Sequence, residues 1–154
     1  LKKTCIDFLH KVPFYGLVVV CLDCPVVREV LPQIGRPVLT YGFSEDADFR
    51  LRDFQQTGMR SSFVIESDKQ EPIFIELNLA GQHNALNATA TVIVALEEGV
   101  SIANIQQALK EFAGIGRRFH HFATVPVHQG NVLMIDDYGH HPAELKATIR
   151  AARQ

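Results

Sequence analysis

The sequence predicts an α/β fold, and three features of its pattern support that prediction. Short apolar runs at 16–22 and 37–43 flank a helix-like segment that begins at Pro25, which is the pattern of a βαβ unit with parallel strands. Three strand-like runs and then two helix-like runs follow. The 154 residues suffice for one ordinary core, or for one domain with part of another.

Each early element has its own signal. Residues 4–12 have helical spacing, which Pro13 ends. The run GLVVVCL at 16–22 is continuous and apolar, which is typical of a strand buried on both faces. Pro25 opens the next helix, where its missing N–H is tolerated, and PVLTYGF at 37–43 is the second strand.

The middle of the chain predicts antiparallel strands and two helices. FRLRDFQQ, SSFVIES and EPIFIELNLA are predicted strands, and the polar SDKQEP indicates a hairpin between the last two. GQHNALNATATVIVALEEG is apolar nearly all round from Ala88 to Leu96, which predicts a helix buried on several sides. Gly99 closes that helix, and Ser101 caps the next, amphipathic one.

A glycine-rich step at Gly114 and Gly116 is typical of a domain boundary. Beyond it we predict a strand pair, HHFATVPV with NVLMID, and a helix from about Pro142. A strand pair and one helix leave apolar surface uncovered, so we expect self-association through this part of the chain. Because the chain starts with Leu and ends within a helical pattern, we also expect it to be a piece of a longer protein.

Composition excludes several classes of protein. Apolar residues make up 47% and charged residues 21%, as in globular proteins. The formal charge of −2 argues against a nucleic-acid partner. The sequence contains neither a bilayer-spanning apolar run nor a signal peptide, so we expect a cytoplasmic protein without a membrane partner.

The cysteines and paired histidines raise the question of a metal site. Cys5, Cys21 and Cys24 are odd in number and have apolar neighbours in the sequence, which predicts reduced, structural thiols. Cys21 and Cys24 have CxxC spacing, and histidines are paired at 120–121 and 140–141. Structural zinc sites usually show two such ligand pairs at set distances, and no second pair matches, so we predict no metal site in this chain.

The motif QHNALN places two amides at the start of a predicted helix. Asn84 and Asn87 are three apart, so they share one face beside free backbone N–H groups. An amide donates and accepts hydrogen bonds, which suits the edge of an adenine ring. The alternative is that Asn84 caps the helix and Asn87 only occupies its first turn, and the spacing does not decide between the two.

Two further motifs carry charged groups near the predicted boundary. Arg117 and Arg118 in GRRF follow a glycine hinge, where a guanidinium suits phosphate oxygens, although exposed surface arginines are common. In MIDDYGHHP, Asp137 follows a predicted strand and could accept hydrogen bonds from ribose hydroxyls. His140 could reach a phosphate or acyl group. Alternatively, Asp136 or Asp137 caps the helix and the histidines are solvated.

Together these stretches resemble the Mur ligase family of peptidoglycan synthesis. The similar text includes VPFYGLVVVCLDCPVVREVLPQ, TYGFSEDAD, GQHNALNATA, GIGRRF and DDYGHHPAELKATI, and so extends over nearly the whole chain. The ordered set GxHNxxN, GRRF and DDYGHHP is specific where each motif alone is not. The resemblance implies that residues 1–114 are the later part of a central ATPase domain. Residues 115–154 would then begin a C-terminal Rossmann-like domain.

The resemblance also implies roles for single residues. Asn84 and Asn87 match asparagines that recognise adenine, with His83 beside the ring. Arg118 matches an arginine near the nucleotide. The remaining matches lie in the DDYGHHP turn: Asp137 as the ribose ligand, His140 near the terminal phosphate and the incoming amino acid, and Tyr138 and His141 as supporting residues. The role of His120 and His121 stays open.

The reaction implied by the resemblance is ATP-dependent ligation of L-alanine to UDP-N-acetylmuramate through an acyl phosphate, with magnesium. This chain contains no GxxGKT phosphate loop, so we expect the magnesium ligands to lie outside it and the fragment alone to be inactive. Two alternatives stay open. One is a murein tripeptide ligase of cell-wall recycling, and the other is a non-catalytic nucleotide-binding module.

Overall fold

The computed structural model describes residues 2–153 and confirms the predicted α/β fold. Its helices are α1 Lys2–Leu9, α2 Pro25–Val30, α3 Gln82–Glu97, α4 Ile102–Glu111 and α5 Pro142–Ala152. A 3-10 turn, Leu31–Gln33, follows α2. The strands are β1 Val18–Cys21, β2 Val38–Gly42, β3 Phe49–Thr57, β4 Arg60–Ser67, β5 Gln70–Leu77, β6 His120–Val127 and β7 Gly130–Asp136.

The first five strands form one mixed sheet in the order β1-β2-β3-β4-β5. β1, β2 and β3 are parallel neighbours, and β3, β4 and β5 pair antiparallel, which confirms the predicted βαβ unit and the hairpin between β4 and β5. β6 and β7 form a separate antiparallel pair, as predicted. The sheet of β1–β5 and the pair β6–β7 are joined through α3, α4 and the segment 112–119.

The main core lies between the sheet and α3, with α4 covering β5. Alternating side chains of β4 and β5 point into it, and Phe63 and Ile75 are fully buried there. From α3, Val92 and Ile93 are also fully buried. Burial of each such side chain stabilises the fold by roughly 1.5–3 kcal/mol, so this layer fixes where α3 lies.

Three predictions about burial are wrong. β1 is not buried on both faces, because it lies at the sheet edge; only Val18 of its four residues is buried. α3 is buried on one face rather than several, since it packs on the sheet from one side and Val94 is 50% exposed. Cys5 does not have the predicted apolar surroundings: its side chain is exposed to solvent, because α1 lies at the surface and has no buried residue.

The second part of the chain, β6, β7 and α5, is much less buried. Apolar side chains between 40% and 67% exposed occur along both strands, as expected for an uncovered strand pair: Phe122, Val125, Val127, Val132, Leu133 and Met134. A small buried cluster, Ala80, Phe119 and Ala151, packs this part against the start of α3. Among residues 2–153, no helix is both long and apolar enough to cross a bilayer.

Candidate functional site

A groove of about 870 Å³ lies between α3, α4 and α5. Its polar wall contains five of the predicted site residues: His83, Asn84, Asn87, Arg118 and Asp137. Its apolar wall comes from the end of β5, from α4 and from the segment that follows: Leu79, Ile105, Leu109, Phe112 and Ile115. The fold therefore brings amides from the middle of the chain to the same groove as an arginine and a carboxylate from its second part.

A smaller pocket of about 290 Å³ lies on the antiparallel strands, beside Thr57, Arg60 and Ser61. It contains none of the predicted site residues, and Lys110, one of its two cationic residues, is already paired with Glu76 at 2.6 Å. The larger groove is therefore the one that brings predicted site residues together.

The asparagine amides are held at the first turns of α3. Gly81 is the N-cap, with φ 94°, and its carbonyl accepts hydrogen bonds from the backbone N–H groups of Asn84 and Ala85. The capping alternative for Asn84 is therefore wrong. Its Nδ2 donates to the Ala80 carbonyl at 2.7 Å, which leaves Oδ1 without a partner among the described residues. The Asn87 amide is exposed on the groove and likewise unpaired among residues 2–153.

Asp137 lies directly after β7 and joins two backbone segments. Its Oδ2 accepts a hydrogen bond from the Phe119 N–H at 2.9 Å, and its Oδ1 accepts one from the Gly139 N–H at 2.7 Å. Burial raises the pKa of this carboxyl, but these two bonds, with smaller contributions from Thr148 and Arg118, lower it overall. The carboxylate is therefore ionised at neutral pH and keeps further lone pairs for a ligand in the groove.

Gly139 packs closely against this carboxylate. A Cβ there would lie 2.7 Å from Asp137 Oδ1, inside van der Waals contact. The tyrosine-glycine step of the motif thus lets the chain turn closely around the carboxylate.

His83 is half-buried on the wall of the groove. Burial lowers its pKa, the nearby Asp137 carboxylate opposes that shift, and Arg118 adds to it. The ring is consequently neutral at pH 7. It packs against Gly81, where a Cβ would lie 2.6 Å from His83 Cε1.

The two arginines of GRRF point to different places. Arg118 is exposed at the groove, and its backbone N–H donates to the Ile115 carbonyl at 3.2 Å. Arg117 has φ 64° and lies with its guanidinium carbon 4.7 Å from the centre of the Tyr138 ring. Of the two arginines, only Arg118 therefore lines the groove. Arg118 is also the arginine that matches the family motif.

Tyr138 and His140 do not line the groove. Tyr138 is 53% exposed, and its ring centre lies 5.5 Å from that of His140. His140 is exposed, with Nδ1 3.3 Å from the Tyr138 carbonyl oxygen and 3.7 Å from Glu144 Oε2. The His140 ring therefore lies outside the groove and is accessible to solvent.

His141 caps α5, so the alternative in which Asp136 or Asp137 is the cap is wrong. Its Nδ1 accepts from the Ala143 N–H at 3.3 Å, while Glu144 Oε2 accepts from the backbone N–H groups of His140 and His141. Those backbone bonds lower the pKa of Glu144. This capping box fixes the entry into α5 and with it the side of the groove that α5 provides.

The remaining candidate ligands lie elsewhere. His121 Nε2 lies 2.9 Å from Thr124 Oγ1 at the start of β6. Cys21 and Cys24 are free thiols at the end of β1 and the start of α2. Among residues 2–153, no group of three His, Cys, Asp or Glu side chains is arranged to hold a metal ion.

Three groove or bridging residues were missed by sequence reasoning. Glu144 and Thr148 of α5 line the groove, and Gln56 of β3 contacts α5 from outside it. The spacing of Glu144, three residues after His141, is a capping-box signal that could have been found. Gln56 carries no local signal, because its partners are distant in sequence.

Three solved structures illustrate what the chain is similar to. A UDP-N-acetylmuramate-alanine ligase, MurC, from Thermotoga maritima has 26% identity and a TM-score of 0.72 over 89% of this chain and 30% of that one. MurF ligase from Thermotoga maritima in complex with ADP has 20% identity and a TM-score of 0.75, over 97% of this chain and 33% of that one. Folylpolyglutamate synthetase from Lactobacillus casei has 20% identity and a TM-score of 0.74, over 99% and 39%.

The chain therefore spans only 30% to 39% of the length of these proteins. The similarities at 20% identity establish the shared fold alone. The sequence profile of the Mur ligase middle domain matches residues 2–95, which is more than half of the 154 residues. On that match, together with the mixed sheet and helices described above, the chain belongs to the Mur ligase middle domain family.

Proposed function

We propose that the groove binds the adenosine of ATP and that the complete protein is an ATP-dependent carboxylate–amine ligase. One observation carries the proposal: Asn84 and Asn87 of α3 face the same groove as Arg118 and Asp137. Membership of the Mur ligase middle domain family supports the class of reaction. The proposed place of action is the cytoplasm.

The residues present fit an adenosine. The groove, at about 870 Å³, lies within the usual size range of small-molecule sites, and its apolar side suits the faces of a purine ring. Asn84 Oδ1 and the Asn87 amide supply an acceptor and a donor for the base edge. The free lone pairs of Asp137 supply acceptors for two ribose hydroxyls.

The proposed reaction has two steps. A carboxylate oxygen of UDP-N-acetylmuramate attacks the γ-phosphorus of ATP, and ADP leaves with the electrons of the broken P–O bond. The amine of L-alanine then attacks the acyl carbon, inorganic phosphate leaves, and the nitrogen loses a proton to give the amide. Arg118, at the groove, is proposed to bind phosphate oxygens, and exposed His140 is proposed to contact the terminal phosphate or the incoming amine.

Magnesium does not fit any cluster among residues 2–153, so no step is assigned to it here. We propose that its ligands and the phosphate loop belong to other parts of the complete protein, since these 154 residues contain no GxxGKT motif. We expect no ATP hydrolysis by the 154 residues alone. In the proposed domain division, residues 1–114 end the central ATPase domain and residues 115–154 begin a Rossmann-like domain that closes over ATP.

The groove is tested by nucleotide binding to the complete protein. We expect Asn87→Ala to weaken ATP binding roughly tenfold, because a buried base edge would lose its hydrogen bonds. Asn131→Ala, an exposed residue of β7 away from the groove, is the matched control and should leave the dissociation constant unchanged. Equal affinities of the two variants for ATP would overturn the proposed adenosine site.

The substrates need a separate measurement. We propose the L-alanine ligase reaction of MurC, with UDP-N-acetylmuramate as acceptor, because the stretches VPFYG and TYGFSEDAD favour that member of the family over the recycling ligase, which has a similar DDxxHHP turn. Phosphate release by the complete protein should require ATP, UDP-N-acetylmuramate and L-alanine together. Preference for a tripeptide would instead indicate the recycling ligase, a requirement for a folate and glutamate would indicate a folylpolyglutamate-type ligase, and no turnover would indicate a non-catalytic module.

A further inference from the structure

Gln56, on β3, bridges two helices that lie far apart in the sequence. Its Nε2 donates hydrogen bonds to the Ala151 carbonyl at 2.9 Å and to the Gly58 carbonyl at 3.1 Å. Its Oε1 accepts from the Gly81 N–H at 2.9 Å. Both amide hydrogens and one acceptor site of this half-buried side chain are therefore engaged.

The two distant partners are the ends of the helices that bound the groove. Gly81 is the N-cap of α3, whose first turns carry Asn84 and Asn87. Ala151 lies in the last turn of α5, the helix that follows Asp137 and the DDYGHHP turn. The Gln56 side chain, which does not line the groove, thus contacts the ends of both helices that form its walls.

Packing around the bridge is close. A Cβ at Gly81 would lie 2.9 Å from the Cβ of Ala151, so α5 approaches the start of α3 within a distance that only glycine allows. Ala80 and Ala151 are buried together with Phe119 in the small cluster that joins the two parts of the chain. Among residues 2–153, α3 is the one helix or strand with which α5 makes more than isolated contacts, so few other contacts hold α5 in place.

We propose that Gln56 is a positioning residue that sets α5 against α3, so that Asp137 and Arg118 face Asn84 and Asn87 across the groove. Its effect on ATP binding rests on the proposed function, whereas its effect on α5 does not. Because the amide donates to one helix end and accepts from the other, neither a leucine nor a carboxylate at position 56 makes both bonds.

The test compares Gln56→Leu with the matched control Gln55→Leu in the complete protein. Gln55 is the exposed neighbour on the same strand. Without nucleotide, Gln56→Leu should raise hydrogen exchange of the α5 amides roughly tenfold, while the amides of β4 keep their protection. The dissociation constant for ATP should rise by a similar factor. Gln55→Leu should change neither.

Gln56→Glu separates the two halves of the bridge. The carboxylate still accepts from the Gly81 N–H but repels the Ala151 carbonyl, so α5 exchange should rise at pH 7. Protonation restores a donor, so the excess over wild type at the same pH should shrink as the pH falls below about 4.3, the ordinary pKa of a glutamate. A residue that only filled space would show no such recovery.

The exchange and binding measurements distinguish the positioning role of Gln56 from the proposed ATP site. Wild-type exchange in both Gln56 variants, or an equal rise in β4 and α5, would overturn the positioning role. If α5 loosens selectively but wild-type protein does not bind ATP, the positioning role stands and the proposed function fails. If ATP binding weakens without a change in α5 exchange, Gln56 does not act through α5 and the inference is rejected.

Discussion

Residues 2–112 and residues 117–153 bury their apolar side chains very differently. In the first region, Phe63, Ile75 and Val92 are fully buried between a five-stranded sheet and α3. In the second, Phe119 and Ala151 are buried, while many apolar side chains of the hairpin are exposed. The first region therefore supplies its own core, and the second depends on what it packs against.

The groove takes one wall from each region. Asn84 and Asn87 come from the region with the large core, and Asp137 comes from the region with the small one. Because local stability follows local burial, we expect the wall that carries Asp137 to open more readily than the wall that carries the asparagines.

The largest expected loss of stability comes from a substitution in the first region, residues 2–112. Phe63→Ala removes a fully buried ring from β4, so we expect it to lower the free energy of unfolding by about 3–5 kcal/mol. Phe122→Ala removes the same ring from a site that is 67% exposed on β6 and should change the stability by less than about 0.5 kcal/mol. Urea denaturation followed by circular dichroism measures both, and similar losses would show that the hairpin is as well packed as the core.

The next largest loss of stability should be confined to the second region, residues 117–153. Phe119 is 2% exposed and is the largest side chain in the small buried cluster with Ala80 and Ala151. We expect Phe119→Ala to reduce the local stability of α5 by roughly 2–4 kcal/mol while β4 is unaffected, because few other contacts hold α5. Hydrogen exchange resolved by segment measures this. A uniform rise along the chain would mean that the two regions unfold as one unit.

The smallest effect concerns the charge of Asp137. Its folded-state pKa is lowered, so its bonds stabilise the fold above about pH 4, the unfolded value, and are lost as the pH falls through the folded pKa. In wild-type protein, α5 exchange relative to β4 should therefore rise below about pH 4. Asp137→Asn should show a loss of about 1 kcal/mol already at pH 7 and little further change in acid. A wild-type protein whose α5 protection stays constant down to pH 2 would contradict this.

The elements were predictable where the signal was local. Pro25 opened α2, Ser101 capped α4, and the alternation in β5 located its buried face, because each depends on neighbouring residues. Burial of β1 and α3 was mispredicted, since apolar composition alone does not say how many neighbours an element has in this chain.

For the candidate site, the sequence predicted several of the residues that line the groove, but it did not predict the hydrogen bonds that those residues make. The motifs singled out Asn84, Asn87 and Asp137, and the fold brings all three to one groove. The motifs did not distinguish Asp137 from His141 as the cap of α5, because both precede the helix and both have a suitable acceptor. Only the path of the turn decided that Asp137 instead holds the Phe119 and Gly139 amides.

By itself, the sequence determined the order of helices and strands, the family resemblance and the polar residues available for chemistry, because these depend on spacing along the chain. The tertiary structure alone decided which of those residues share a groove and that Gln56 connects α3 to α5. Contacts between residues 95 positions apart depend on packing of whole elements, and no local pattern records them.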